Sequence, residues 1–502
     1  MAEQFDIIVI GSGAAGLSTA LAARGARVAV VTRGVIGLDG ASCWAQGGLA
    51  AAIGPGDSPG QHALDTIKAG HRRNNKAAVR WMAESAPETV RWLIDQGVEF
   101  DRIGPNLSLG RESAHTFPRI VHAGGDATGA ELMRALRQAV QVANHVQLFE
   151  FCSARELIKL SGKVVGVAIT DARGEGCELY APHVVLATGG LGQLFLYTTN
   201  PTEADGSGLA LAMRVGAELA DMEMVQFHPT ALAPREAGQG EQLPLITEAV
   251  RGAGAWLVNE QGQRFLSTVH PQAELAPRDV VARAVWEQTE RGRRVYLDAT
   301  PLGESLRTRF PTLVKTCQMR NIDPRRDPIP VVPAAHYHMG GIKVDLHSMS
   351  SVPGLYAVGE VACSGVHGVN RLASNSLLEG VAFGRALGDR LARMPRQQQL
   401  PTVSLGVWND VAQPAPISEA MVFARLRQLL WSAAGVIRYQ DSLEAAEQQL
   451  QLLQRRCLPG AHVLEQISVG LQLVAAARAR TDSLGAHHIL PRRPALSGQA
   501  AA

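Results

Sequence analysis

Near its start, the chain places the glycine-rich turn GSGAAG between an apolar stretch, FDIIVI, and a stretch of helical composition, LSTALAARG. A second apolar stretch, VAVVT, follows, and this order predicts a strand–turn–helix–strand unit with buried parallel strands. Gly11 allows a tight turn, Gly13 lets the backbone approach a pyrophosphate, and Gly16 lets helix and strand pack closely. A helix N-terminus adds N–H groups and positive dipole, so the turn predicts a dinucleotide site rather than a glycine-rich turn without a ligand.

The kind of dinucleotide depends on the residues that follow. An NAD site has an acidic residue about 20 residues further on, whereas no Asp or Glu stands between Asp6 and Asp39. Arg33, after the second strand, leaves an NADP phosphate as an alternative. Two later apolar stretches that run into glycine, HVVLATGG (183–190) and LYAVGE (355–360), favour FAD, with Glu360 placed to accept from a ribityl or ribose hydroxyl. No second G-x-G-x-x-G lies between them, so we expect a flavin enzyme that takes electrons from a substrate.

Composition excludes several kinds of partner. The 48 Lys and Arg residues nearly balance 46 Asp and Glu residues, and aromatic residues are few, so no nucleic-acid partner is expected. The six cysteines form no CxxC pair, so no zinc, iron–sulfur or other metal site is expected. We expect a cytoplasmic protein, because the N-terminus lacks the features of a secretion signal and no apolar run reaches about 18 residues.

The chain of 502 residues has a length typical of about three domains. Helical patterns near 74–96, 126–143 and 376–393 and strand patterns at VQLFEF and KVVGVAIT suggest an α/β fold. From 222 to 335, prolines and charges indicate an inserted domain, and PRQQQLPTVS is expected to be a linker. We therefore expect a Rossmann-like FAD-binding domain (1–221 and 336–400), an inserted α+β capping domain (222–335) and a C-terminal helical domain (415–502).

Five short stretches carry residues suited to a small dicarboxylate. Arginine binds a carboxylate in a planar fork, and His and Thr donate to the remaining oxygens. Taken singly, each residue has a structural explanation, such as a His in a turn before Pro or an Arg as a surface charge. Together they predict a substrate site. The stretches are QFHPT with His228, LITEAVRG with Thr247, Glu248 and Arg251, LAPRDVVARAV with Arg278, AHYHMGG with His336, and GVNRLASNSLLEG with Arg371.

These stretches, together with WAQGGLAA, RESAHTFPRIVH and RDVVARA, follow one another along the chain in the order found in one known family. From Phe5 to about Arg393 the chain resembles the fumarate reductase/succinate dehydrogenase flavoprotein family, with a weaker likeness in the tail. The resemblance implies that Arg278 exchanges a proton with substrate carbon, and that Glu248 and Arg251 relay that proton. Because the pKa of an arginine side chain exceeds about 12, an arginine base needs such a neighbour. The residues implied to bind the carboxylates are His228, Thr247, His336 and Arg371.

The resemblance also implies a set of FAD contacts. Membrane-bound members attach FAD covalently through a His just before an A-x-G-G run, and here Ala41 stands at about that position, so noncovalent FAD is expected. The implied contacts are Gly11, Ser12, Gly13, Ala14, Ala15, Gly16, Arg33, Ala41, Ser42, Cys43, Trp44, Ala45, Gln46, Gly47, Gly48, Asp205, Glu360, Ser376 and Leu377.

Residues 111–122, RESAHTFPRIVH, hold four groups that can bind anions and one carboxylate, Glu112. A solvated loop in which Glu112 offsets its neighbours is the simpler explanation. Opposite charges nearby favour the ionised form of Glu112. Its position resembles the Glu that holds the substrate ammonium in the aspartate-oxidising branch of the family, and succinate has no ammonium. The resemblance therefore implies oxidation of L-aspartate to iminoaspartate, with reoxidation of the flavin by oxygen (giving hydrogen peroxide) or by fumarate (giving succinate).

The same branch supplies iminoaspartate to quinolinate synthase in de novo NAD biosynthesis, so a hand-off partner is expected. One alternative is a soluble fumarate reductase or succinate dehydrogenase flavoprotein. Another is a non-catalytic electron-transfer subunit docked to an iron–sulfur partner. Two positions depart from the family pattern: Leu484 stands where an Arg is usual, and His338 stands where Thr is common. They leave open whether the tail contributes to the site.

Overall fold

The structure, a computed structural model, describes residues 3–236, 242–395, 418–457 and 461–492. The expected linker, apart from Pro395, lies outside the described residues, as do parts of the expected domain ends at 396–400, 415–417 and 493–502. The helices are α1 (Ala14–Ala22), α2 (Pro59–Ala69), α3 (Lys76–Asp95), α4 (Thr128–Gln141), α5 (Ser207–Arg214), α6 (Glu248–Gly252), α7 (Arg278–Glu290), α8 (Ser305–Arg309), α9 (Pro311–Gln318), α10 (Asn375–Ala392), α11 (Glu419–Ala434), α12 (Gln440–Arg456) and α13 (His462–Ala479).

A parallel sheet of five strands forms the centre of the molecule. Its spatial order is Leu355–Ala357, His183–Leu186, Ile7–Ile10, Val28–Val31 and Val146–Phe149. The two strands of the opening unit, rich in Ile and Val, are fully buried, as a parallel sheet covered on both faces requires. The predicted strand–turn–helix–strand unit and the α/β fold class are therefore confirmed.

Glycines fix the position of α1. Gly11 has a φ of +109°, and a Cβ on Gly16 would overlap the carbonyl oxygen of Gly11. Along α10, a Cβ on Gly384 or Gly388 would overlap carbonyl oxygens of α1. Helices α1 and α10 therefore pack at close range, and the N-terminus of α1 is held at the carboxyl ends of the central strands.

Two larger sheets flank this unit. One has the order Glu3–Gln4, Gly176–Tyr180, Lys163–Thr170 and Ser153–Leu160. The other is antiparallel, with the order Val225–Leu232, Ile329–His338, Val295–Asp298 and Trp256–Asn259. This second sheet packs its own apolar core against residues of α6 to α9. The strand Ile329–His338 crosses the expected boundary between 335 and 336, so the domain limits stay a proposal.

Short strand pairs complete the structure. They are Leu219–Ala220 with Gly341–Lys343 and Ala362–Cys363, Leu49–Ala50 with Ile120–Val121 and Leu109–Gly110, Arg102–Ile103 with Asn106–Leu107, and Arg438–Tyr439 with Ile489–Leu490.

The C-terminal helices α11 to α13 share one apolar core with the central sheet. Trp431 of α11 lies between Tyr197 and Trp286, with ring centroids 4.9 and 5.1 Å away. These edge contacts join the tail to α7, which begins at Arg278, and to the loop that contains Tyr197. Across the ranges that the structure describes, no helix combines the length and apolarity needed to cross a bilayer.

Candidate active site

A cavity of about 600 Å³ lies where the carboxyl ends of the central strands meet the antiparallel sheet. Four of the expected site residues, Gly16, Cys43, Asp205 and Arg251, do not line it. The expected residues that do line it are Gly11, Ser12, Gly13, Ala14, Ala15, Arg33, Ala41, Ser42, Trp44, Ala45, Gln46, Gly47, Gly48, Glu112, His228, Thr247, Glu248, Arg278, His336, Glu360, Arg371, Ser376 and Leu377.

The N-terminus of α1 forms one end of the cavity. Ser42 Oγ accepts from the backbone N–H of Ala14 at 3.1 Å, which ties the 41–48 loop to the first turn of α1. Arg33 Nη1 donates to Asp205 at 2.8 Å. Burial alone would raise the pKa of Asp205, but the Arg33 guanidinium holds it below its usual value. Asp205 thus lies behind Arg33, and Arg33 lines the cavity together with the first residues of α1, a helix N-terminus that favours an anion such as a pyrophosphate.

Glu360 stands further along the same wall. Its Oε1 accepts from the backbone N–H of His338 at 2.8 Å, and a Cβ on Gly190 would overlap this carboxyl group. Burial raises the pKa of Glu360 to about 7. A carboxyl group in such a place is stabilised by hydroxyl donors. A helix N-terminus, a cation and a desolvated carboxyl group in one cavity fit the pyrophosphate and polyol parts of FAD.

The 41–48 loop joins the two halves of the cavity. Gln46 Nε2 donates to the carbonyl of Leu245 at 3.0 Å, two residues before Thr247. Cys43 donates from Sγ to the carbonyl of Gly40 at 3.1 Å, and burial raises the pKa of this thiol to about 11. Cys43 is thus a protonated structural residue that faces away from the cavity.

Two neutral histidines line the other end. The rings of His228 and His336 lie 5.1 Å apart. Burial, with nearby Arg278 or Arg371, lowers the pKa of both well below the usual value. The backbone N–H of Thr230 donates to His228 Nδ1 at 3.3 Å, so the ring proton lies on Nε2. Such a ring can donate a hydrogen bond to a carboxylate without carrying charge.

Arg371 is the buried cation of this end. Its guanidinium lies over the Tyr337 ring at 4.7 Å, and Nη1 donates to Ser376 Oγ at 3.0 Å. Nε of Arg371 has no hydrogen-bond partner among the described residues. Burial and Arg278 lower the pKa of Arg371 to about 10, and Glu112 is among the groups that raise it. Because Arg371 lines the cavity, its guanidinium can bind a substrate carboxylate there.

Arg278 begins α7 and contacts two acceptors. Its Nε donates to Glu248 Oε2 at 2.6 Å, and Nη1 donates to Gln226 Oε1 at 3.1 Å. On the far side of Glu248, Arg251 Nη2 lies 3.7 Å from Oε1. Burial would raise the pKa of Glu248, but Arg278 and Arg251 hold it below its usual value. Arg251 thus contributes from behind the cavity wall. The sequence did not predict a contact with Gln226. This residue lies two positions before His228 on the same strand.

The structure separates the charged groups of residues 111–122. Arg119 is fully buried between Asp57 and Asp65, at 2.9 and 2.7 Å. Arg111 donates to the carbonyl of His115 at 3.1 Å. Arg119 and Arg111 therefore make their contacts elsewhere, and within the stretch Glu112 alone lines the cavity.

Glu112 is buried and faces the substrate end. Its Oε2 accepts from Ser374 Oγ at 2.7 Å, and Ser374 also accepts from the backbone N–H of Gly48 at 3.2 Å. Ser374 has a φ of +62°, an uncommon conformation for a residue with a side chain. The carboxylate is thus held in a fixed position with lone pairs left for an ammonium group.

The two departures from the family pattern lie outside the cavity. His338 is buried, with Nε2 3.1 Å from the carbonyl oxygen of Met222, and burial lowers its pKa to about 4. Leu484 packs against an apolar cluster that includes Tyr337 and Ala486. His338 therefore fills space behind Glu360, and the tail reaches the ring on which Arg371 lies.

Known proteins with similar sequences bind FAD or are named for the oxidation of aspartate. Residues 6–377 match the family of the FAD binding domain. The chain is 43% identical to "L-aspartate oxidase" of Streptomyces coelicolor over 96% of this chain and 88% of that relative. It is 44% identical to "L-aspartate oxidase" of a Nostoc species, over 88% and 78% of the two chains.

Solved structures show the same fold. A quinol fumarate reductase FrdA of E. coli superposes with a TM-score of 0.88 at 28% identity, covering 99% of this chain and 93% of the other. Sdh1 of Mycobacterium smegmatis superposes with a TM-score of 0.83 at 33% identity, covering 98% and 90%. The chain therefore belongs to the L-aspartate oxidase family, within the fumarate reductase/succinate dehydrogenase flavoproteins, and FAD is its cofactor.

Proposed function

We propose that this enzyme oxidises L-aspartate to iminoaspartate. The observation that carries the proposal is the Glu112 carboxylate, which lines the same cavity as Arg371 and the two histidines. A dicarboxylate without an amino group would leave the Glu112 carboxylate without an ammonium partner, whereas the ammonium of aspartate adds a charge-assisted hydrogen bond there. The names of the relatives support the same substrate.

Each part of aspartate has a complementary group. Arg371, a cation that lines the cavity, binds one carboxylate, while His228 and His336 donate to carboxylate oxygens. Thr247, which also lines the cavity, adds a hydroxyl donor. The ammonium lies against Glu112. This arrangement presents the C2–H bond in one orientation, and bound FAD supplies the two-electron acceptor for it.

The arginine–carboxylate–arginine set handles the proton. In the direction of dicarboxylate reduction, Arg278 donates a proton to substrate carbon and recovers one through Glu248 and Arg251. The 2.6 Å contact between Arg278 and Glu248 makes the return of a proton from Glu248 to Arg278 direct. We propose that oxygen, giving hydrogen peroxide, or fumarate, giving succinate, receives the electrons in turn.

The product is chemically short-lived, because an imine in water hydrolyses to a ketone and ammonia. We propose that iminoaspartate passes to quinolinate synthase as the first step of de novo NAD biosynthesis. We further propose that the enzyme acts in the cytoplasm.

Anaerobic reduction of the flavin tests the substrate. The purified yellow protein is mixed with L-aspartate or with succinate without oxygen, and absorbance near the flavin maximum is followed. Bleaching by aspartate but not by succinate supports the proposal. Bleaching by succinate alone contradicts it and favours the second candidate, a soluble succinate- or fumarate-converting flavoprotein, for which the Arg278–Glu248 pair is equally suited. Acid precipitation of the same sample tests how the flavin is attached. We expect colourless protein and free flavin, because Ala41 cannot form the covalent bond.

A further inference from the structure

A chain of hydrogen bonds joins the C-terminal turn Leu484–His487 to the helix that carries Arg278. Arg283, on the second turn of α7, donates through Nη1 to the carbonyl of Gly485 at 3.1 Å. Through Nη2 it donates to Asp279 Oδ2 at 3.0 Å. The planar fork of one arginine therefore holds the tail and the first turn of α7 together, a geometry that lysine does not reproduce.

The chain continues from Asp279 to both arginines of the site. Asn370 Nδ2 donates to Asp279 Oδ1 at 3.3 Å, and Gln226 Nε2 donates to Asn370 Oδ1 at 2.9 Å. The same Gln226 amide nitrogen donates to the carbonyl of Arg371 at 3.0 Å, and its oxygen accepts from Arg278 at 3.1 Å. Gln226 is thus a bridge between the two arginines, and the tail lies at the other end of the bridge.

The linking side chains are shielded from solvent. Gln226, Asn370 and Asp279 are 1%, 4% and 7% exposed. A separate cavity of about 10 Å³, the size of one water molecule, lies between Gln226, Asp279, Arg283 and Ala486. Buried polar chains of this kind hold their members in one arrangement, because each lost bond leaves an unpaired group.

The turn itself is fixed on the segment that leads into Asn370. Ala486 N–H donates to the carbonyl of Val369 at 2.9 Å. Gly485 has a φ of +57°, and a Cβ there would overlap the same carbonyl. His487 is fully buried and lies 2.6 Å from Arg438, which anchors the turn to the helical domain. The turn is therefore attached both to the segment that leads into Asn370 and to the helical domain.

We propose that the Leu484–His487 turn and Arg283 form a positioning element that sets the relative placement of Arg278 and Arg371. This inference rests on the proposed function for the role of the two arginines. Neither Arg283 nor the turn lines the main cavity, so they act through Gln226 and Asn370. Small displacements of reacting groups can lower a rate by up to about 100-fold, which makes such a remote contact measurable.

The variant Arg283→Gln tests the proposal in the FAD-loaded full chain. We expect succinate to bind about tenfold more weakly, measured from the flavin absorbance change, and kcat for fumarate reduction to fall by about tenfold. Flavin content stays unchanged. Hydrogen exchange of the 484–487 amides becomes faster, which reports the released turn independently of turnover.

Arg393→Gln is the matched control, because Arg393 pairs with Asp389 at the same i,i+4 spacing on an exposed face, at 2.8 Å. It should leave succinate affinity and kcat within about twofold of the parent protein. Asp279→Ala is the second variant. It removes both acceptors of the same link, so the double variant should be no worse than either single one.

Two results would overturn the positioning role. One is faster exchange at 484–487 in Arg283→Gln with succinate affinity and kcat unchanged. The other is an additive loss in the double variant. The affinity measurement uses succinate alone. A parent protein that binds succinate but is not reduced by aspartate would therefore contradict the proposed function, and it would not contradict the positioning role of Arg283 and the turn.

Discussion

Glu248 lies between two arginines, with Oε2 2.6 Å from Nε of Arg278 and Oε1 3.7 Å from Nη2 of Arg251. All three side chains are buried or nearly so. A buried carboxylate between two cations stays ionised, and it can accept a proton from one while facing the other. The arrangement is suited to moving protons between the cavity and the protein behind it.

Glu248→Gln removes the charge from this set. We expect single-turnover oxidation of the reduced flavin by fumarate to slow by roughly 10²- to 10⁴-fold, the usual contribution of a proton-transfer residue. Flavin content should not change, because Glu248 lies at the substrate end. Stopped-flow absorbance measures the rate.

Glu131→Gln is the control for this experiment, since Glu131 forms a 2.6 Å pair with Arg134 on the protein surface. It should leave the fumarate rate within about twofold of the parent value. A Glu248→Gln rate equal to that of this control would exclude the carboxylate from proton transfer.

Buried histidines make stability depend on pH. Burial lowers the pKa of His62, His115 and His338 to about 4. Between pH 6.5 and 4 the unfolded chain binds protons that the folded chain does not bind, so the free energy of unfolding falls as the pH falls. Each such histidine adds at most about 1.4 kcal/mol per pH unit to the slope of the free energy of unfolding against pH. Above pH 6.5 these histidines add nothing to that slope.

The substitution His338→Thr removes one of these buried histidines. It introduces the residue that the family resemblance leads us to expect at this position. The free energy of unfolding is measured with urea at several pH values between 7 and 4.5. Its slope against pH should be smaller than that of the parent protein by at most about 1.4 kcal/mol per pH unit. An unchanged slope would contradict the lowered pKa, because it would show that His338 takes up a proton over the same pH range in the folded and the unfolded chain.

Gly16→Ala tests the glycine turn. The added Cβ would overlap the Gly11 carbonyl, so helix α1 must move away from the sheet edge. We expect loss of bound FAD and a lower thermal midpoint. Gly60→Ala is the control, because its Cβ would lie 3.8 Å from the nearest atom, at an exposed position in α2. That change should leave FAD binding intact and stabilise the helix by up to about 1 kcal/mol. Equal FAD content in both variants would contradict the role of Gly16.

Local patterns predicted the strands and helices of the FAD-binding part, because alternating glycine turns and apolar runs act over a few residues. KVVGVAIT and the helix near 376–393 illustrate this, since they match the strand Lys163–Thr170 and α10 closely. The charged stretch 111–122 shows the limit. Asp57 and Asp65 lie more than 50 positions away from Arg119 in the sequence, so the pairing that removes it from the site could not be predicted from RESAHTFPRIVH.

The site residues that were missed stand inside motifs that had been identified. Gln226 precedes His228 in QFHPT, Tyr337 follows His336 in AHYHMGG, and Ser374 lies in the stretch that contains Arg371. Their contribution comes from hydrogen bonds and ring contacts between segments, which one sequence does not reveal. The strand spacing of Gln226 and His228 was the only available signal.

The Glu112→Gln variant tests the central claim, that this carboxylate selects an amino dicarboxylate. Glutamine keeps an acceptor for Ser374 but loses the charge that holds an ammonium. A hydrogen bond to a charged group contributes about 1.5–3 kcal/mol, so kcat/KM for L-aspartate should fall roughly 10- to 100-fold. Fumarate reduction by the same protein should stay within about threefold of the parent rate, as estimated from the absence of an ammonium contact. An equal loss in both reactions, or no loss in either, would contradict the assignment of Glu112 to the substrate ammonium.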